Sequence, residues 1–344
     1  MTNALTRLLQ ERDWLLLDGA TGTNLFNAGL MSGEAPELWN VDAPDKIRAL
    51  HRGFVEAGSD VILTNSFGGS RYRLKLHQAQ GRVRELNMAA ARLARECADE
   101  CTGAGGRPVI VAGSVGPTGE LLEPVGPLTH AAAAAAFEEQ IAALMEGGAD
   151  VIWAETMSSV EEFGAVAEAA ANQGAPFCAT LSFDTAGRTM MGVTSEAYAA
   201  LAAALPNPPL AIGANCGTGA SDLLRTVMGI TGATPEAIVI AKANAGIPKY
   251  VDGHIHYDGT PELMADYARL ARDAGARLIG GCCGSMPAHI RAMRAALEDH
   301  VPGPRPSLDE ISARVGDFTS ADDGTGDAAA ASESRRSRRG RRRA

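Results

Sequence analysis

Arg277-Leu-Ile-Gly-Gly-Cys-Cys-Gly284 is the stretch that organises this 344-residue chain. A short apolar run ends in two glycines, and two cysteines then stand side by side. Adjacent cysteines pair with each other poorly, because a disulfide demands a particular Cβ separation and torsion. Both can ligate one ion if the backbone turns sharply beneath them, and Gly280, Gly281 and Gly284 permit such a turn. Leu210-Ala-Ile-Gly-Ala-Asn-Cys-Gly-Thr218 has the same grammar, a strand breaking into a glycine-rich loop, with Cys216 at the break. Three thiolates at strand ends would hold zinc tetrahedrally and leave one position open, as catalytic rather than structural sites do.

Other short apolar runs precede these two. Strands are expected at 15–18, 61–65, 109–112, 151–155, 177–183, 210–214, 238–243 and 277–281. Amphipathic stretches lie between them, among them 45–57, 83–100, 131–146, 159–172, 195–204 and 260–273. Strand followed by helix, eight times over, predicts an α/β chain folded as a (β/α)8 TIM barrel rather than an open doubly wound sheet. Three near-copies support the repeat: Glu56-Ala-Gly-Ser-Asp-Val-Ile, Glu146-Gly-Gly-Ala-Asp-Val-Ile and Asp273-Ala-Gly-Ala-Arg-Leu-Ile. Each places glycine where a helix ends in a left-handed residue, directly before a buried strand. The strands are continuous apolar runs, as expected when both faces are covered.

Nearly every expected strand ends in polar or glycine-rich sequence: Asp18-Gly-Ala-Thr-Gly-Thr23, Asn65-Ser-Phe-Gly-Gly69, Gly113-Ser-Val-Gly-Pro117, Glu155-Thr156, Asn215-Cys216, Asn244-Ala-Gly246 and Cys282-Cys283. Barrel enzymes build their sites at the C-terminal ends of the strands, so these stretches should converge on one mouth. Asp18 and Glu155 would add two carboxylates to three thiolates. Each has a plainer reading: Asp18 as a turn cap, Glu155 as the partner of a nearby cation, and Asn215 as the brace of the loop carrying Cys216. His254-Ile-His256 has a spacing that could ligate metal from a strand but reads more simply as a loop over the mouth. Cys97 and Cys101, four apart on a predicted helix, look incidental.

The composition is 46% hydrophobic and 5% aromatic, with no apolar run long enough to span a bilayer. The first ten residues lack the core and cleavage site of a signal peptide, so a cytoplasmic location is expected, without membrane partners. Six cysteines in a chain of this size suggest metal or catalytic use in a reducing compartment. The net charge of −10 is asymmetric. Seven Arg and one Glu fall in residues 328–344, which leaves −16 on the preceding 327 and argues against a nucleic-acid-binding core. The pattern divides into a barrel over residues 1–301, an extension over 302–318 with a short helix at 308–315, and a disordered basic tail over 319–344. Residues 302–318 could dock on a neighbouring subunit in a homo-oligomer.

This constellation resembles the homocysteine S-methyltransferase family, which includes betaine–homocysteine methyltransferase and the homocysteine-binding domain of cobalamin-dependent methionine synthase. The likeness covers roughly residues 10–298. It rests on Asp18-Gly-Ala-Thr-Gly-Thr, Asn65-Ser-Phe-Gly, Gly113-Ser-Val-Gly-Pro, Ala154-Glu-Thr, Gly213-Ala-Asn-Cys-Gly and Gly280-Gly-Cys-Cys-Gly. By resemblance, Cys216, Cys282 and Cys283 bind one Zn2+ per chain, and Asp18 and Glu155 hold the amino group of homocysteine. The backbone at Gly19, Ala20 and Thr21 would take its carboxylate, with Asn215 nearby. The resemblance implies zinc-dependent methyl transfer to homocysteine, giving methionine. As a single barrel without cobalamin or folate modules, the chain is most similar to bacterial proteins of the betaine-using type. A quaternary ammonium donor favours an aromatic box, for which Trp39, Phe67, Tyr72, Tyr250 and Tyr257 are the candidates. In animal betaine enzymes a tyrosine follows the strand-4 glutamate, where this chain has Thr156, so S-methylmethionine, S-adenosylmethionine or dimethylsulfoniopropionate are alternative donors. Outside this class stand a non-catalytic thiol-binding barrel with structural zinc and, last, a phosphate-handling barrel.

Overall fold

A computed structural model describes residues 3–322, apart from 248, 252 and 253, together with residue 324. Eight parallel strands form one sheet: β1 (Leu15–Leu16), β2 (Val61–Leu63), β3 (Ile110–Val115), β4 (Val151–Met157), β5 (Phe177–Leu181), β6 (Ile212–Cys216), β7 (Val239–Ala243) and β8 (Ala276–Gly281). Their order is β1-β8-β7-β6-β5-β4-β3-β2, and a parallel bridge from Leu17 to Val61 joins the two ends into a ring. The expected (β/α)8 barrel is therefore the fold. Helices Pro44–Ala57, Val83–Gly103, His130–Glu146, Val160–Asn172, Ser195–Ala204 and Pro261–Asp273 fall within a few residues of the stretches read from sequence, and Leu308–Val315 coincides with its expected span.

The repeated glycines act as anticipated. Gly58, Gly148 and Gly275 have φ of 114°, 105° and 96°, the left-handed conformation that ends a helix without a Cβ clash. Thr129, Ser159, Thr194 and Thr260 open their helices by accepting a backbone N–H three residues on.

Two apolar layers result. Leu15, Leu17, Val61, Leu63, Ile110, Ala112, Val151, Trp153, Cys178, Ile240 and Leu278 fill the barrel interior. Helix Ala4–Glu11 adds Leu5, Leu8 and Leu9 to the same cluster and so plugs one end. The outward strand residues, such as Leu16, Ile62, Val111 and Ile152, pack beneath the helix ring. At the N-terminal end of β2, fully buried Asp60 receives Arg12 at 2.9 Å, Arg294 at 2.8 Å and Arg107 at 3.3 Å. Because that carboxylate is wholly enclosed, the three guanidiniums supply the charge compensation water would otherwise give.

Three features differ from the sequence expectation. Helices Ala220–Ala233 and Pro287–Glu298 are additional to the stretches named above. The segment around His254 is half of a small antiparallel hairpin, Lys249–Val251 with His254–His256, rather than an open loop. Its side chains, including those of Tyr250, His254 and His256, lie outside the described residues. Finally, Leu308–Val315 lies against the barrel helices Ala220–Ala233 and Pro261–Asp273, with Ile311 and Val315 buried. Docking continues through Thr319, whose N–H and hydroxyl donate to Asp222, and Ser320, whose carbonyl accepts from Arg225. The basic residues from 325 onward lie outside the described residues. Among the described residues no helix is long and apolar enough to cross a membrane.

Candidate metal and substrate site

Side chains two residues apart on a strand share a face. The interior cluster therefore predicts what comes next at the mouth: Ala112 is followed by Ser114, Trp153 by Glu155, Cys178 by Thr180, Ile240 by Lys242, and Leu278 by Gly280 and Cys282. Within one layer the barrel filling changes from hydrocarbon to hydroxyl, carboxylate, ammonium and thiol. That change marks where packing ends and chemistry begins.

The three cysteines meet there. The sulfurs of Cys216 and Cys283 are 3.6 Å apart, and those of Cys216, Cys282 and Cys283 all lie within 4.8 Å of one another. All three are free thiols. Three sulfurs around a tetrahedral zinc, at Zn–S of about 2.3 Å, would be separated by about 3.8 Å. The spacing, and an all-sulfur donor set that disfavours magnesium or calcium, fit zinc. Hydrogen bonds from Cys216 and then Cys282 draw the Cys283 thiol below its usual range.

The backbone is tied down around these sulfurs. Cys282 N–H donates to the Ala243 carbonyl at 2.6 Å, Cys283 N–H to Asn244 Oδ1 at 3.1 Å, and Gly284 N–H to Thr23 Oγ1 at 3.2 Å. A Cβ on Gly280 would meet Leu17 Cβ at 2.6 Å, so β8 can pass β1 this closely only as glycine. Gly284 has φ of 79° and lies beneath the Tyr257 ring, close to Cys283. Across the ring, Cys216 and Thr156 adopt φ of 62° and 63°. Left-handed non-glycine residues store about 1–3 kcal/mol each and persist only where their surroundings enforce them.

Asn215 enforces the second of these. Its Oδ1 accepts Thr156 N–H at 2.9 Å and the Thr180 hydroxyl at 2.7 Å, while Nδ2 donates to Thr156 Oγ1 at 2.7 Å and towards Cys282 Sγ at 3.7 Å. One amide thus links β4, β5, β6 and the paired cysteines. Its role as a brace, weighed from sequence against substrate contact, accounts for both ends of that amide.

Asp18 is 2% exposed. One carboxylate oxygen accepts Leu63 N–H at 2.7 Å and the other accepts Lys242 Nζ at 2.8 Å. Burial pushes the Asp18 carboxyl up, and Lys242 pulls it back down. Glu155, held by the Ser114 hydroxyl, is pushed up to about 7, chiefly by desolvation. The cation in this site is a residue that sequence reading passed over. Lys242 stands in an otherwise apolar strand, on the inward parity of Ile240, and that parity was the available signal.

The remaining candidates divide. The Ala20 N–H donates to the Ser285 carbonyl at 3.0 Å, with Gly19 packed on the Phe54 ring and Thr21 opening helix Thr21–Asn27. Trp39 carries Lys46 over its ring at 4.1 Å, and Tyr72 packs on the helix-layer core. Phe67 is 38% exposed beside Gly116. Tyr257 packs over Gly284, the residue that follows the paired cysteines. Away from the mouth, the Cys97 and Cys101 thiols donate to the Arg48 and Arg107 carbonyls, and Cys178 sits in the barrel core.

Comparison with known proteins identifies the same region. The sequence profile described as "Homocysteine S-methyltransferase" matches residues 15–297. The chain is 32% identical over 293 residues to a methionine synthase of Mycobacterium tuberculosis; the match covers 81% of this chain and spans 24% of that relative's length. Crystal structures of the homocysteine methyltransferase MmuM from Escherichia coli are similar in fold. The metallated form superposes with a TM-score of 0.71 at 28% identity, covering 85% of this chain and 99% of that one. The oxidized form gives 0.71 at 29% identity, covering 86% and 99%.

Proposed function

The chain belongs to the homocysteine S-methyltransferase family, and from that premise we propose that it methylates homocysteine to methionine at a zinc ion held by Cys216, Cys282 and Cys283. Betaine is the proposed donor, leaving as dimethylglycine. The observation that carries this reading is the meeting of three free sulfurs, at the end of β6 and just past the end of β8, beside the buried carboxylate of Asp18 and the part-buried one of Glu155.

Zinc in this all-thiolate set would deprotonate an incoming thiol, whose ordinary pKa is about 8.5, while leaving its sulfur electron-rich. The side chains do the rest. Asp18 and Glu155 hold the substrate ammonium by charge-assisted hydrogen bonds and so aim the thiolate. The thiolate attacks a methyl carbon on the donor nitrogen. A C–S bond forms as the C–N bond breaks, and its electron pair stays on nitrogen. Anchoring at the amino group removes much of the entropy of bringing the partners to ~3–3.5 Å. Tyr257 and Phe67, at the mouth, are the aromatics proposed to face a quaternary ammonium. The metallated form of a similar methyltransferase supports the metal assignment.

The deciding assay supplies zinc-loaded protein and homocysteine with betaine, S-methylmethionine, S-adenosylmethionine or dimethylsulfoniopropionate separately. Methionine formation is expected with betaine. Formation with another donor alone would move the assignment to that donor, and none with any donor would leave the thiol-binding alternative. Metal analysis should find about one zinc per chain, lost together with turnover in Cys282→Ala.

A further inference from the structure

Lys242 belongs to no role so far assigned. It is the inward residue one layer above Ile240 on β7, flanked in register by Asn215 of β6 and Gly280 of β8. Its side chain is 3% exposed, and Asp18, its partner at 2.8 Å, is 2% exposed. A buried ammonium is costly unless anions surround it. Asp18, Glu155 and Cys282 are the three whose charge reaches it. Beside two carboxylates and a cluster of cysteines, Lys242 is a built-in cation that no substrate has to bring.

We propose that Lys242 is a positioning residue for the substrate amino group: by pairing with Asp18 it fixes that carboxylate in place, and so makes the site select thiols bearing an α-amino group. The proposal rests on the homocysteine reading above. The geometry supports it because Asp18 is gripped at two points, Lys242 on one oxygen and Leu63 N–H on the other. A carboxylate has about four lone-pair sites, so two stay open to an ammonium while the group cannot rotate. Without Lys242 only the Leu63 contact remains, and the nearby negative charges favour turning Asp18 away or neutralising it. Lys242 need not touch the substrate, and its influence passes through Asp18.

The test compares homocysteine with 4-mercaptobutanoate, which keeps the thiol and carboxylate but lacks the amino group. Dissociation constants are measured by calorimetry on zinc-loaded wild type, Lys242→Met, Asp18→Asn and the double variant. Wild type should prefer homocysteine. Lys242→Met should weaken homocysteine at least tenfold and 4-mercaptobutanoate less than twofold. The double variant should match Asp18→Asn alone, since residues acting through one another are non-additive. Should Lys242→Met fail to fold, the double variant, in which the pair is neutral, carries the comparison. Equal loss for both ligands, no loss for either, or a double variant less selective than Asp18→Asn would overturn the proposal. A wild type without preference for homocysteine would overturn the substrate reading itself, whereas a preference retained in Lys242→Met removes Lys242 alone.

Discussion

Replacing Asn215 separates bracing from substrate contact. Asn215→Ala removes hydrogen bonds from Thr156 N–H, Thr180 Oγ1 and Thr156 Oγ1, and strands the buried Thr180 hydroxyl. Three neutral bonds contribute about 3 kcal/mol, and the abandoned hydroxyl adds about 1–2. Against this, Thr156 is freed to leave its left-handed conformation, which returns about 1–2 kcal/mol. The net loss should be about 2–4 kcal/mol, read from urea unfolding of metal-free protein. Zinc affinity, measured by competition with a chromophoric chelator, should fall as well, because Cys216 follows Asn215 and shares its turn. Asn215→Asp tests the second half. It keeps the acceptor for Thr156 N–H and Thr180 Oγ1 but loses the Nδ2 donor towards Cys282 Sγ, and sets a carboxylate beside thiolates. It should unfold within ~1 kcal/mol of wild type while binding zinc at least tenfold more weakly. If Asn215→Ala unfolds within ~0.5 kcal/mol of wild type and binds zinc within twofold, the brace is an accident of proximity and the reasoning fails.

Further outcomes follow from other parts of the barrel. Glu155 titrates near 7, pushed up chiefly by burial, so its carboxyl is neutral below that pH and charged above it. Homocysteine affinity should therefore strengthen as pH rises through about 7, and Glu155→Gln should flatten that rise and weaken binding about tenfold or more at pH 8. Asp60→Ala leaves three guanidiniums facing an emptied buried site and should cost about 3–5 kcal/mol in urea unfolding. Its KM for homocysteine should not change, because Asp60 lies at the opposite end of the strands. Deleting residues 304–344 uncovers the docking surface of Ile311 and Val315 and should cost about 3–5 kcal/mol in the same assay. Deleting residues 325–344 should leave the unfolding midpoint within ~0.5 kcal/mol of wild type.

The barrel was legible because its signals are local and repeated. Gly58, Gly148 and Gly275 end helices in front of apolar runs, and each run is a strand. The cysteines were legible because sulfur flanked by glycine at a strand end has few packing explanations. Lys242 was hidden for the converse reason. Its meaning depends on which face of β7 points inward, and a strand covered on both sides has no alternation to reveal that. Trp39 and Tyr72 show the same limit: aromatic identity is visible in sequence, but Lys46 over one ring and the helix-layer core beneath the other are tertiary facts. Thr156 was noticed for not being tyrosine, yet its left-handed backbone, set by Asn215 59 residues away, could not be anticipated from its neighbours.

The two strained residues bear on how such a site can exist at all. Cys216 and Thr156 together store about 2–6 kcal/mol, comparable to the whole net stability of an ordinary domain. A structural zinc bound by cysteines contributes on the order of 10–16 kcal/mol at neutral pH, which would cover that strain several times over. The barrel would still have to hold the strained conformations before metal arrives, and at Thr156 the Asn215 amide, rather than the ion, is what does so. It follows that the metal-free protein should keep its sulfurs poised, with binding limited by delivery of the ion instead of refolding. That ordering also explains why hydrogen bonds around Cys282 and Cys283 come from the backbone and from Asn244 and Thr23. A loop nailed by neutral donors and acceptors holds its shape whether its thiols carry protons or an ion.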